Sequence, residues 1–567
     1  MIKTNTKKKV LLLIYILLVG ATLAVFGTAS HYDFVGWDDD IHVYANPYLS
    51  SPEFGSIAHF WKGPHISLYM PATFSAWWLL ARVSELPCYG GCITKFDPRI
   101  FHIANLILHT ANVLLVFAIL NSLFAPCRGS VFSRRRAAAA CVGAMLYAVH
   151  PLQVEPVVWV SSMKDLLCGF FSLMALRQYL LYARIFASAD RAEGRPHAVL
   201  ATAAYVLALL SKPAAVSLPL IAWLLVHFRY GNTDFGLKNG KVRALLRRPH
   251  AMLLGWLLLA APFAIMAKFA QSDIPLGFTA PHWARLPIAG DALGFYLFKL
   301  FIPLNLGIDY GRIPQLVMDN RWICFMWLIP CCLAAALVLS RHRRQWLAAL
   351  GIFAAGALPT MGLVPHGYQI FSTVADRFLY LSMLGPALAL GWMFLSYRNK
   401  AVSCLCLFIV CLLASLSFVQ RRYWSDNKAL FIHALEINDR SYMAHYNLGM
   451  TLDGDDNPAA AIFHYRKALE IKPDYGRAHN NLGAVLTRQG RLAEAIGHFA
   501  KALCLEPGNE GAYFNLYMAH NALGVTLARQ GKLDEAVEHF SEALRLRPDF
   551  AEARANLNQA LQNAGKK

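Results

Sequence analysis

Three adjacent carboxylates, Asp38, Asp39 and Asp40, follow the first apolar run in the stretch HYDFVGWDDDIHVYANPYL, residues 31–49. Side by side and close to an apolar slab, they repel one another and lose hydration, which raises the pKa of at least one. A carboxylate perturbed in that way suits the removal of a proton from a hydroxyl group. Three cations stand at comparable places further on: Lys164 in HPLQVEPVVWVSSMKDLL, Lys212 in LLSKPAAVSLP and Arg377 in VADRFLYLS. Each sits at the end of an apolar run, at headgroup depth, where a cation can meet a lipid-linked phosphate. The same motifs carry His150, Glu155, Trp159, Asp165 and Asp376 to those ends. The plainer alternative is that the cations snorkel and the acids stand in open water.

Such residues need a membrane to position them, and the composition supplies one. The chain has 567 residues, of which 57% are hydrophobic and 15% charged, with a mean hydropathy of +0.39. Soluble domains carry roughly 25% charged residues. The net charge of +19 is not a nucleic-acid footprint, because residues 424–567 hold 16 basic and 17 acidic side chains. The excess therefore lies in short loops between apolar runs, as membrane topology requires. Most of the twelve cysteines fall inside those runs and read as small hydrophobes. Cys88 and Cys92 flank a polar Gly-Gly turn, where an oxidising compartment would allow a disulfide.

The Lys-rich start MIKTNTKKKV precedes about 20 apolar residues, an uncleaved anchor with its basic end in the cytoplasm. Further runs fall near 100–124, 137–150, 164–184, 198–211, 213–228, 251–270, 321–340, 345–364, 377–396 and 400–419. Eleven spans result. They keep the loops 31–99 and 271–320 and the C-terminal region on the non-cytoplasmic side. Twelve spans would put RHRRQ outside, against the positive-inside tendency. Residues 289–307, with Asp291 and Lys299, read as an interfacial or re-entrant segment. His102, Asn105, His109 and Asn112 share one helix face, and are expected to hydrogen-bond span to span rather than bind metal.

From Tyr442 the sequence repeats with a period of 34 residues: 442–475, 476–509 and 517–550. Leu448/Gly449, Leu482/Gly483 and Leu523/Gly524 align. So do the small residues Ala461, Ala495 and Ala536, the aromatics Tyr465, Phe499 and Phe540, and the prolines Pro473, Pro507 and Pro548. This is the tetratricopeptide pattern, in which small residues sit where helices cross and proline closes the second helix. Seven surplus residues, 510–516, should lengthen one helix or bulge the stack. Residues before Tyr442 look like a lone second helix, and those after Phe550 like a polar capping helix.

Taken in order, WDDDIHVYANPYL, LYMPATFSAWWL, FHIANLILHTANVLLVF, HPLQVEPVVWVSSMKDLL, SKPAAVSLP and VADRFLYLS, followed by the repeats, resemble one family. It is the transmembrane and tetratricopeptide-repeat protein O-mannosyltransferases and their bacterial relatives, of the GT-C glycosyltransferase fold. The resemblance covers nearly the whole chain. It implies an all-α protein with a GT-C-like membrane domain over 1–423 and a repeat domain over 424–567. It also implies an inverting transferase that takes a mannose-like hexose from a polyprenyl-phosphate donor to a protein or glycan hydroxyl. The acid pair of the family's first loop maps onto Asp38 and Asp39, with Asp40 adjacent and the register open. Lys164, Lys212 and Arg377 would steady the donor phosphate, with Trp37, Glu155, Asp165, His150, Tyr69 and Asp376 in support. Bacterial members often read Trp-His-Pro where this chain has Tyr69-Met70-Pro71. Three carboxylates could hold a divalent cation, but the first loop offers no further ligand set. The implied setting is the bacterial inner membrane, N-terminus cytoplasmic, repeats periplasmic and binding a protein partner. The competing reading is a non-catalytic membrane-anchored scaffold for envelope assembly.

Overall fold

The computed structural model describes residues 2–50, 54–86, 96–125, 132–187, 194–230, 248–272, 278–320 and 323–565. Cys88 and Cys92 lie outside them. The chain divides into two compact units, Met1–Asp426 and Asn427–Lys567. The described residues are overwhelmingly helical, with two isolated bridges and no strand.

All eleven apolar runs of the first unit contain helix. Among the described residues, five helices are long and apolar enough to cross a bilayer: Thr6–His31, Pro98–Leu123, Val160–Phe186, Pro249–Ala270 and Lys400–Trp424. A sixth results if Arg134–Val149 and Pro151–Val158 count as one span bent by 56°. The other runs give shorter helices, including Arg195–Ser211, Pro213–Arg229, Leu328–Val338 and Leu384–Ser396. Among the described residues, five or six of the eleven runs thus form a span-length helix and the others are shorter, because turns such as Ser211-Lys212-Pro213 stop helices short of about 20 residues. The chain is a multi-pass membrane protein.

Close approach builds this bundle. A Cβ on Gly143 would stand 2.3 Å from the Ala387 carbonyl, and one on Gly385 2.3 Å from that of Ala349. Helices Arg134–Val149, Arg343–Ala357 and Leu384–Ser396 thus pack backbone to backbone. His282–Phe301, expected as interfacial or re-entrant, is a twenty-residue helix around Pro287. It buries Asp291 and Lys299 while exposing Trp283, Leu286, Phe298 and Phe301. Of the cysteines in apolar runs, Cys141, Cys168 and Cys406 are buried, whereas Cys331, Cys332, Cys404 and Cys411 face outward.

The second unit begins with the helix Asn427–Ile437 and continues through paired helices to Ala551–Ala564. Ser441, Asn457 and Asn509 cap helix starts by accepting from the backbone N–H three residues on. Each repeat glycine receives an aromatic knob. A Cβ at Gly449, Gly483 or Gly524 would lie 2.9, 2.7 or 2.7 Å from the ring of Tyr465, Phe499 or Phe540. The surplus residues lengthen one helix, Glu510–Arg529. Seven residues are nearly two turns, so the added part keeps the same face. Asn515 on the added part donates to Asn480 of the preceding repeat at 3.0 Å. On the original part, Asn521 accepts from Asn556 of the following helix at 3.0 Å.

Candidate active site

The first loop turns at Gly36–Asp38, and the turn sends the three carboxylates different ways. Asp39 points inward and is fully buried. Its Oδ2 accepts from the Val35 N–H at 3.1 Å, and its Oδ1 from the Ser161 N–H at 2.8 Å and hydroxyl at 2.5 Å. Asp39 thereby fastens the loop to the turn before Met163. Burial pushes its carboxyl up to about 7, against those three hydrogen bonds, which favour the charged form. Asp40 is half-buried, and its Oδ1 has no hydrogen-bond partner among the described residues. Asp38 keeps a third of its side chain open and lies 3.9 Å from Lys164 Nζ. Burial raises its pKa, Lys164 and Arg377 pull it down, and Asp40 adds a small upward push.

The three cations string along two aromatic rings. Lys164 Nζ stands 5.3 Å from the Trp159 ring centre, and the Arg377 guanidinium 5.1 Å from the same ring. Arg377 also lies 5.1 Å from Phe378, whose ring holds Lys212 Nζ at 5.3 Å. Each cation has an acid. Arg377 pairs with Glu155, donating from its guanidinium to Oε1 and from its backbone N–H to Oε2 at 3.0 Å. Lys212 donates to Asp165 Oδ1 at 2.5 Å.

A second layer holds these groups in place. Asn105 donates to the Trp159 carbonyl at 2.9 Å, and Asn112 to that of Leu166 at 3.0 Å. His109 Nε2 donates to the Ala148 carbonyl at 3.0 Å, so its Nδ1 accepts from the Tyr380 hydroxyl at 2.9 Å. Tyr380 in turn accepts from Asn112 at 2.8 Å. His102 donates to the Asp33 carbonyl at 3.4 Å. The polar stripe of Pro98–Leu123 thus bonds segment to segment, as its spacing predicts.

Among the supporting residues, Trp37 packs on Phe371 at 5.5 Å between ring centres. This brings the first loop to the segment that carries Arg377. Asp376 accepts from the Tyr310 hydroxyl at 2.8 Å. His150 Nε2 donates to the Leu300 carbonyl at 3.1 Å, and its Nδ1 accepts from the Leu152 N–H at 3.2 Å. It is a pin at a bend. Tyr69 sits on a separate segment and donates weakly to the Trp61 carbonyl at 3.5 Å. Sequence reasoning passed over Ser161, Tyr310 and Tyr368, the last 4.2 Å from the Arg377 guanidinium. All three lie in motifs or loops that were legible, but no spacing marks them. No cluster of three or more His, Cys, Asp or Glu fit to hold a metal occurs among the described residues.

The class is thus a multi-pass helical membrane protein with a buried charge cluster at its span ends and a tetratricopeptide-repeat unit. Tetratricopeptide-repeat models match residues 444–475 and 474–549. The protein O-mannosyl-transferase TMTC4 of Mus musculus is 26% identical over 416 residues, 65% of this chain and 55% of the relative. TMTC3 of Homo sapiens is 24% identical over 417 residues, 66% and 42% respectively. F38B6.6 of Caenorhabditis elegans, also named a protein O-mannosyl-transferase, is 24% identical over 395 residues, 68% and 51%. The chain spans about half the length of the curated relatives it matches. Among solved structures, the Arabidopsis OM64 TPR domain is 18% identical and covers 21% of this chain and 93% of its own, with a TM-score of 0.17. The resemblance to the transmembrane and tetratricopeptide-repeat O-mannosyltransferases, read from the ordered motifs, is borne out.

Proposed function

We propose that this chain is an integral membrane glycosyltransferase of the GT-C type. It moves a mannose-like hexose from a polyprenyl-phosphate donor to a protein hydroxyl. The observation that carries this reading is Asp38: of the three acids it is the one both partly open and facing Lys164. Its carboxylate takes the proton of the acceptor hydroxyl as that oxygen attacks the anomeric carbon. The bond from that carbon to the phosphate oxygen breaks, the carbon inverts, and the lipid phosphate leaves with the electron pair. Lys164, Lys212 and Arg377 offset the charge that develops on it. Asp39 acts by holding the loop against Ser161, and Glu155 by aiming Arg377.

The reaction belongs on the non-cytoplasmic face, with the Lys-rich N-terminus inside; for a bacterial chain that face is periplasmic. The repeats would engage the acceptor protein or a partner. The test is hexose transfer in membranes by Asp38→Asn. Loss of about 10²–10⁴-fold, with folding intact, is expected for a general base. Wild-type activity in Asp38→Asn and in the Asp38→Asn/Asp39→Asn double variant would leave a scaffold as the better account.

A further inference from the structure

The three cations are not held alike. Glu155 satisfies Arg377 through both carboxylate oxygens, one to the guanidinium and one to the backbone N–H. Pulling Arg377 away would strand a buried carboxylate. Lys164 is 3.9 Å from Asp38, too far for a hydrogen bond. Lys212 is the intermediate case. It makes one short contact, to Asp165 Oδ1, and the other oxygen of Asp165 is buried with no hydrogen-bond partner among the described residues. The Lys212 side chain is 14% exposed against 5% for Arg377. A narrow cavity opens beside the pair, lined by Asp165, Lys212, Arg377, Phe378, Thr360 and Cys168.

We propose that Asp165 is the resting counter-ion of Lys212, which gives the lysine up to a lipid phosphate and takes it back when that phosphate leaves. The proposal rests on the lipid-phosphate reading above and adds a residue that sets how tightly the phosphate is held. Lysine suits the exchange: its ammonium is a compact charge on a flexible stem with three rotatable donors. No proton moves. The ammonium keeps its hydrogens and trades one anionic acceptor for another. While a phosphate occupies Lys212, Asp165 stands beside it uncompensated and repels it. The carboxylate therefore weakens binding of the product-like phosphate and speeds its departure.

The test uses the purified full chain in detergent and the probe geranylgeranyl monophosphate, with geranylgeraniol as the uncharged control. Asp165→Asn should bind the phosphate about tenfold tighter, and Lys212→Gln about tenfold weaker. In the double variant the Asp165→Asn gain should vanish. In transfer assays Asp165→Asn should lower KM for the donor and kcat together, with Asp165→Glu restoring both. A merely structural role for Asp165 would not lower KM. If Asp165→Asn fails to fold, Asp165→Ser carries the test. It too removes the charge beside Lys212 and should tighten phosphate binding about tenfold. Unchanged or weaker binding in Asp165→Asn, or in Asp165→Ser, overturns the counter-ion role while leaving the phosphate site standing. Equal binding of phosphate and alcohol by the wild type overturns the phosphate site, and the proposal with it.

Discussion

The two units bury their polar groups by opposite rules. In the repeat unit, His445 and His464, His479 and His498, and His520 and His539 face each other through Nδ1 atoms 2.9, 2.9 and 3.0 Å apart, each pair nineteen residues apart in sequence. In the membrane unit, Lys212 meets Asp165 across 47 residues, Asp39 meets Ser161 across 122, and Arg377 meets Glu155 across 222. One unit repeats a local device. The other gathers single residues from distant turns. A polar group in a repeat can be replaced at modest local cost, whereas one in the cluster supports charges that nothing else compensates.

That contrast yields a graded set of outcomes. Glu155→Gln should cost most, about 3–5 kcal/mol, by stranding Arg377 in the interior. Glu155→Gln/Arg377→Gln should recover part of it, read as melting temperature in detergent. Gly483→Leu should cost about 1–3 kcal/mol by driving a side chain into Phe499. Its effect on hydrogen exchange should be confined to the repeat helices, and equal loss across the membrane helices would contradict the contrast.

The histidine pairs predict a smaller, pH-dependent effect. Burial lowers the pKa of His445, His464, His479, His498 and His520 below the ordinary 6.5. The unfolded chain then binds more protons, so repeat stability is full above about 6.5 and declines as pH falls below it. Charged neighbours tune each pair. Asp439, Lys467 and Glu470 face the first, Lys501, Glu494 and Arg466 the second, and Glu542 and Arg545 the third. Hydrogen exchange in the full chain should show protection of the repeats falling from pH 7 to 5, and Gln at all six positions should flatten that slope. The mildest effect concerns catalysis: with Asp38 raised above its ordinary 3.8, transfer should fail on the acid side at a pH above that value. A transfer rate flat down to pH 4 would remove Asp38 as the base.

How much could be read beforehand follows the same division. The helices of both units, the repeat register and the seven surplus residues at 510–516 were legible, because apolar runs and a 34-residue period are local signals; that the surplus lengthens a helix rather than bulging the stack was not. The stripe His102, Asn105, His109 and Asn112 was legible too, since spacings of three and four place residues on one face whatever surrounds it. Which runs form one continuous span-length helix was not, because apolar runs say where helices form but not where a Ser-Lys-Pro turn ends them.

Within the acid triplet the sequence established that charged carboxylates follow the first span and that cations end later ones. It left Asp38, Asp39 and Asp40 equivalent. Their roles separate only when the turn at Gly36–Asp38 drives one side chain onto Ser161 and leaves its neighbour facing Lys164. Neighbours along a turn point in different directions, and which direction meets a partner depends on segments more than a hundred residues away. Periodic order can be read from one strand of text; convergence of single side chains exists only after the chain has packed.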